Sequence, residues 1–89
     1  MKITDGTIKK IEKRLTKLIA GQYGKNSYAR VDGIRVDFIE GTHTEITIIY
    51  GKEKDGEVIF QNSADLIMLD GNADFLAGQL FQHIIENNE

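Results

Sequence analysis

The spacing of apolar residues near the N-terminus predicts an amphipathic helix. Over residues 7–22 they recur every three or four positions, which places them on one side of a helix (Ile8, Ile11, Leu15, Leu18 and Ile19). Asp5 is placed to cap the start of this helix, and Gly21 or Gly24 is placed to end it. A helix with one apolar side is expected to pack that side on the rest of the protein.

A second apolar pattern with helical spacing predicts a C-terminal helix over residues 73–86. Asp70 or Asn72 would cap it, and Asp74 suits the positive end of its dipole. Its apolar residues cover about half of the helix circumference: Ala73, Leu76, Ala77, Leu80, Phe81, Ile84 and Ile85. A surface helix needs a narrower stripe. This helix is therefore expected either to lie between other elements or to give part of its surface to a partner.

Between the two helices, apolar and polar residues alternate, which predicts β-strands. Four strands are predicted, over residues 28–31, 34–39, 44–50 and 57–60. The alternation places one set of apolar residues on the core side of the sheet: Ala29, Val31, Ile34, Val36, Phe38, Ile46, Ile48, Tyr50, Val58 and Phe60. Asp32-Gly33 has the composition of a two-residue hairpin turn. The pattern leaves open whether residues 65–69 form a fifth strand or a helical turn. The sequence predicts one α+β domain over residues 1–89, with an antiparallel four-stranded meander between two helices (α-β-β-β-β-α).

Composition narrows the class of protein. The 89 residues are 40% apolar and 28% charged, and include neither cysteine nor proline. This composition is typical of a soluble globular domain, and it removes thiol chemistry and thiolate metal sites. No apolar stretch is long enough to span a membrane, and the N-terminus has no apolar signal core. We expect a cytoplasmic protein with no cofactor and no metal ion.

Two histidines are the candidates for catalysis. His43 lies beside Glu45 in a predicted turn, and a carboxylate near an imidazole can orient a general base. His83 falls at the border of the apolar stripe of the second helix, where a packed ring with one wet nitrogen is the simpler interpretation. No metal-ligand spacing or phosphate-binding glycine motif is present. We therefore expect a protein that is not an enzyme.

Charge is distributed unevenly along the chain. Residues 1–35 carry a net charge of +6 and residues 36–89 a net charge of −9, within a total of −3. The basic part is concentrated on the first helix, opposite its apolar side, in Lys9, Lys10, Lys13, Arg14 and Lys17. Three interpretations remain: a basic binding surface, an acidic binding surface, or two parts that attract each other in the fold.

The basic side chains of the first helix suit contact with nucleic-acid phosphates. The element order is similar to that of double-stranded RNA-binding domains, in which lysines at the start of the final helix contact phosphate. Here residues 70–74 are acidic instead, so binding would depend on the first helix and the hairpin. The alternative is that the lysines only keep the helix surface solvated.

The other candidate surface is the side of the sheet away from the predicted core. In the predicted hairpin Arg30 lies opposite Arg35, and Tyr28 lies opposite Asp37. Two like charges opposite each other are unfavourable unless an anion covers them. The predicted register also sets Ile49 opposite Ile59. Arginine, tyrosine and isoleucine together are typical of protein-binding surfaces. The alternative is that one helix covers this face.

The prediction is a small non-catalytic protein that acts by protein–protein contact, as an adaptor, an inhibitor or a phage-type accessory factor. The predicted contact residues are Tyr28, Arg30, Arg35, Ile49 and Ile59. The partner would be another protein or a second copy of the chain in a homodimer. The alternative prediction is binding of a nucleic-acid backbone by the first helix.

Overall fold

In a computed structural model the chain forms two helices and one antiparallel sheet. The structure describes residues 4–69 and 71–87, including the side chains of all of these except residues 36–38. The elements are α1 (Asp5–Tyr23), β1 (Ser27–Phe38), β2 (His43–Lys54), β3 (Glu57–Leu69) and α2 (Ala73–Asn87). The sheet order is β1-β2-β3, so β2 is central. The order α-β-β-β-α shows that the prediction of four strands (α-β-β-β-β-α) is wrong.

The error arises at Asp32-Gly33, which continues β1 instead of turning the chain. Val31 pairs with Ile48 and Gly33 with Thr47, so Asp32 is the extra residue of a β-bulge. Neither Asp32 nor Gly33 has the positive φ that a type I′ turn requires. A bulge and a two-residue turn both change the phase of the alternation. Apolar periodicity therefore cannot distinguish one from the other.

β3 is longer than predicted. The chain reverses at Asp55-Gly56, where φ values of 52° and 81° are those of a type I′ turn. β3 then pairs with β2 from Glu57 to Leu69. Residues 65–69, which the sequence left open, belong to this strand. The polar residues 61–63 do not end it, because the ladder to β2 continues through them.

Each helix has a defined start. The Thr4 side chain accepts a hydrogen bond from the Thr7 amide at 3.2 Å, so Thr4 rather than Asp5 is the N-cap of α1. The Asn72 side chain accepts one from the Phe75 amide at 2.8 Å and caps α2. Asp70, the other predicted cap of α2, lies outside the described residues. The predicted end of α1 at Gly24 is confirmed, with φ of 94°.

Both helices pack on the same face of the sheet, which we call the inner face. The buried core contains residues of α1, of α2 and of the inner face: Ile11, Leu15, Ile19, Ala29, Ile46, Ile48, Tyr50, Met68, Leu76, Ala77, Leu80 and Ile84. α1 lies mainly against β1 and against α2, and α2 lies beside β3. The protein therefore has two layers, and among the described residues no helix covers the other side of the sheet.

α1 also closes one edge of the sheet. The Thr16 hydroxyl accepts a hydrogen bond from the Ala29 amide at 3.1 Å and donates one to the Ala29 carbonyl at 3.4 Å. The Glu12 carboxylate accepts one from the Val31 amide at 2.9 Å. These backbone groups of β1 would otherwise be free to pair with another strand. Side chains of α1 thus occupy the position that a fourth strand would take.

Candidate functional site

The uncovered side of the sheet, which we call the outer face, carries four of the five predicted contact residues. Tyr28, Arg30 and Arg35 project from β1 and Ile49 from β2. Paired residues share a face of the sheet, so the register defines the rest of the outer face: Glu45 and Thr47 on β2, and Gln61, Ser63, Asp65, Ile67 and Leu69 on β3. The sequence left open whether a helix covers this face, and the structure places both helices on the inner face.

Tyr28 bridges all three strands at one end of the outer face. It pairs with Gly51, which pairs with Gln61. Because Gly51 has no side chain, the tyrosine passes over it and its hydroxyl donates a hydrogen bond to Gln61 Oε1 at 2.7 Å. The guanidinium of Arg30 lies 5.3 Å from the centre of the Tyr28 ring, within the range of a cation–π contact. These two contacts hold the Tyr28 side chain in place across the sheet.

Arg30 and Arg35 are not opposite each other, as the predicted hairpin required. They lie on the same strand, with Arg30 opposite Ile49 and Arg35 opposite Glu45. Arg35 Nη2 is 3.0 Å from Glu45 Oε1, so its charge is compensated within the fold. No carboxylate among the described side chains forms an ion pair with Arg30. The argument from repulsion between the two arginines is therefore wrong, but Arg30 keeps a charge that a partner could neutralise.

Ile59 does not lie beside Ile49. Ile49 pairs with Ser63, whereas Ile59 is the extra residue of a bulge near the β2–β3 turn. Its side chain is 57% exposed there. The neighbouring Val58 is 55% exposed and pairs with Glu53 on the outer-face side, so its predicted place on the core side is wrong. The true partner of Ile49 lies four residues beyond the predicted one: three because the chain turns later than predicted, at Asp55-Gly56, and one because of the bulge. Tyr28 likewise lies opposite Gly51 and not Asp37.

Two further apolar residues of the outer face are absent from the predicted contact set. Ile67 is 46% and Leu69 60% exposed, on the same side as Glu45 and His43. The signal is present in residues 66–69, because a strand in that position must turn every second residue away from the core. The outer face thus has cationic and aromatic residues on β1 and an apolar end on β3, at residues 67 and 69.

The five basic residues of α1 are all exposed. Four of them, Lys10, Lys13, Arg14 and Lys17, line a groove of about 410 Å³ together with residues 72–74 at the start of α2. Of the carboxylates that the structure describes, that of Asp74 lies at this groove, 4.0 Å from Arg14 Nε. We call these four residues and the start of α2 the basic groove. Its cations outnumber its anions, so it is able to attract a polyanion.

The two histidines lie on different elements. His43 Nδ1 is 2.8 Å from the Thr42 hydroxyl at the start of β2, and His83 Nδ1 is 3.0 Å from Asn87 Nδ2 on α2. Both contacts are local in sequence. Among the described residues no group of three or more histidine or acidic side chains is arranged to hold a metal ion.

Compared with known proteins, the chain matches no family model, no curated protein and no solved structure. Within residues 4–69 and 71–87, no helix combines the length and the apolar character needed to cross a membrane. The function is therefore inferred from the outer face and the basic groove.

Proposed function

We propose that the protein is a non-catalytic binding protein whose outer face docks against another protein. The observation that supports this most is the placement of both helices on the inner face, which leaves Ile49, Ile67 and Leu69 without a covering layer. Ile67 and Leu69 lie together at one end of the outer face, and Ile49 lies apart from them beside Arg30. Exposed apolar side chains are stabilised when a partner removes them from water. Tyrosine and arginine beside them are the residue types that contribute most at protein interfaces.

The charges of the outer face indicate the chemistry of the partner. Arg30 is exposed, has its ring contact with Tyr28, and has no carboxylate partner among the described side chains. A carboxylate of the partner would form a charge-assisted hydrogen bond with it. Ile49, directly opposite Arg30, would contact an apolar side chain next to that carboxylate. We therefore propose a partner surface that presents an acidic residue beside apolar ones.

Selection from a displayed library of random peptides tests this proposal with a defined probe. We expect the selected peptides to combine acidic and apolar residues. Arg30→Glu and Ile49→Lys should each weaken their binding by about tenfold or more, because each removes a central contact. Both variants should remain folded, since neither side chain belongs to the core.

Lys54→Glu is the matched control, because it reverses a charge on the exposed β2–β3 hairpin, away from the centre of the outer face. It should leave the affinity unchanged, as measured by titration calorimetry. Peptides that bind all three variants equally, or a selection that enriches no peptide, would contradict the proposal.

A second candidate function is binding of nucleic-acid phosphates, which the basic groove favours. Lys10, Lys13 and Lys17 are exposed, and among the described side chains no carboxylate forms an ion pair with them. Such cations bind a phosphate backbone with steep salt dependence and little sequence preference. Asp74 at the start of α2 would repel phosphate, so the contacts would lie along α1.

A mixed-sequence duplex oligonucleotide, as DNA and as RNA, is the probe for this candidate. We expect binding at low salt that weakens as salt is raised. The double variant Lys13→Glu/Lys17→Glu should lower the slope of log affinity against log salt by about two, because two phosphates are no longer neutralised. Fluorescence anisotropy measures both slopes. If the slope of the double variant equals that of Lys54→Glu, the basic groove does not bind the duplex.

A further inference from the structure

The two edges of the sheet differ. The edge of β1 is closed by Thr16 and Glu12, as described above, whereas no strand pairs with the far edge of β3 in the described part of the chain. α2 lies beside β3 on the inner face and does not continue the ladder. β3 is 13 residues long, and most of it is exposed. A long open edge of this kind pairs with another strand unless something blocks it.

The hydrogen-bond pattern shows which residues of β3 face this edge. The amide and carbonyl of Ala29 are bound to Thr16, so they point away from its partner Tyr50. In an antiparallel ladder the polar groups of Tyr50 must then point to β3, where its partner is Asn62. The next residue, Ser63, therefore directs its amide and carbonyl to the open edge. The same holds for Gln61 and Asp65.

The sequence of β3 is nearly symmetric about Ser63 in its apolar character. Residues 58–60 (Val-Ile-Phe) and residues 66–68 (Leu-Ile-Met) are apolar, and the residues between them are polar except Ala64. An antiparallel pair of identical strands centred on Ser63 would place Phe60 opposite Leu66 and Ile59 opposite Ile67. Such a two-fold contact is self-complementary, because every residue pair away from the axis occurs twice, once on each side of it.

Only certain registers are compatible with the sheet. Paired residues must share a face, and a two-fold axis perpendicular to the sheet keeps the helices of both copies on one side. The axis must therefore pass midway between one residue and the same residue of the second copy. A shift by one residue would place outer-face residues opposite inner-face ones. Centring on Asn62 would place Asp65 opposite Ile59. Centring on Ala64 would place Ile67 opposite Gln61. Centring on Ser63 places Phe60 opposite Leu66 and Ile59 opposite Ile67, with Asp65 opposite Gln61.

We propose that β3 pairs with β3 of a second copy of this chain, antiparallel and centred on Ser63, to form a continuous six-stranded sheet. Residues 60–66 pair regularly, and the bulged Ile59 meets Ile67 at each end. Within this paired stretch the acidic residue of β3, Asp65, lies opposite the uncharged Gln61 and meets no other acid. The strand that pairs with the open edge therefore has the same sequence pattern as β3, and β3 of a second copy has that pattern. This proposal does not rest on the proposed function, because it uses the edge of the sheet and not its outer face.

Substitutions at Gln61 test the register. Gln61→Lys places a cation opposite Asp65 of the second copy, and Gln61→Asp places an anion there. Each change acts twice in the dimer, so the dimer dissociation constants of the two variants should differ by about tenfold or more, with the lysine variant tighter. Sedimentation equilibrium measures these constants, with the wild-type protein expected to reach twice the 10.0 kDa of one chain.

The matched controls are Gln22→Lys and Gln22→Asp, which make the same charge changes on the exposed end of α1 and should have equal dimer constants. Ser63→Pro removes an amide that points to the open edge and does not bond to β2, so it should give a folded monomer. A wild-type protein that stays monomeric, or a dimer that Gln61 and Ser63 substitutions leave unchanged, would overturn the proposal. A monomer that still binds the selected peptides would contradict the dimer and support the proposed function. A dimer that binds no peptide would support the β3 pairing and contradict the proposed function.

Discussion

Gly51→Ala is expected to lower the free energy of unfolding by about 3 kcal/mol, because a Cβ at this position has no space. Gly51 is buried in the central strand, where an added Cβ would overlap the carbonyl oxygen of Phe60 and lie 3.0 Å from Gln61 Cα. Both obstacles belong to the backbone of β3, so no side-chain rotation relieves them. The close approach lies next to the bulge at Ile59, which changes the register between β2 and β3.

For a domain of this size, a loss of that magnitude lowers the melting temperature by roughly 12–24 °C. Thermal and urea denaturation followed by circular dichroism measure it. Gly33→Ala is the matched control, since Gly33 is also a strand glycine and an added Cβ there meets no atom within 4 Å. Its stability should stay close to that of the wild-type protein. Equal losses in the two variants would contradict the close approach of β3 to Gly51.

Ile48→Ala is expected to lower the free energy of unfolding by about 2–5 kcal/mol, the range for truncating a fully buried isoleucine. Ile48 is completely buried on the inner face of the central strand. It pairs with Val31 on one side and Ala64 on the other, beneath the layer formed by the helices. Replacing the isoleucine side chain by a methyl group leaves a cavity. The helices can fill it only in part, because their other core contacts hold them in place.

The neighbouring residue provides the control for this prediction. Ile49 has the same side chain but projects from the outer face, where it is only half-buried. Ile49→Ala should cost about 1 kcal/mol or less, the scale of a cross-strand contact. Urea denaturation of both variants measures the difference. A large loss at Ile49 would mean that the outer face is covered, which would contradict both the two-layer arrangement and the proposed docking of a partner.

Pairing of two copies along β3 and docking of a partner on the outer face do not exclude each other. Pairing along β3 adds a second sheet beside the first and keeps both outer faces on the same side, since the helices of both copies share the other side. Ile67 and Leu69 of the two copies would lie at opposite ends of the β3–β3 pair, with Ile67 of one copy beside Ile59 of the other. A partner would meet a surface with two-fold symmetry, with an Arg30 on each half.

The helices are the elements that the sequence determined best. Their apolar stripes predicted α1 and α2 to within a few residues, because a helix forms from contacts between residues three and four positions apart. Gly24 ends α1 as predicted, and Asn72 is one of the two predicted caps of α2. These signals come from residues close together in the chain, so they do not depend on how the rest of the chain folds.

The sheet could be predicted only in part. Alternation identified the inner-face residues Ala29, Ile46, Ile48 and Tyr50, and a real hairpin turn occurs at one of the Asp-Gly pairs, Asp55-Gly56. The sequence Asp32-Gly33 is of the same type but forms a bulge. Both uses of Asp-Gly shift the alternation in the same way, and only the long ladder between β1 and β2 decides between them.

The candidate sites follow the same division. The concentration of basic residues on α1 is evident from the sequence, since residues on one helix face recur at fixed spacing. The neighbours of Arg30, Arg35 and Ile49 were predicted wrongly, because cross-strand partners depend on where the chain turns: Asp32-Gly33 is a bulge and not a turn, and the β2–β3 turn lies later than predicted. That both helices cover one face, that α1 closes the edge of β1 and that β3 remains open depend on how separate elements pack. These contacts join residues far apart in the chain, so tertiary structure alone decided them.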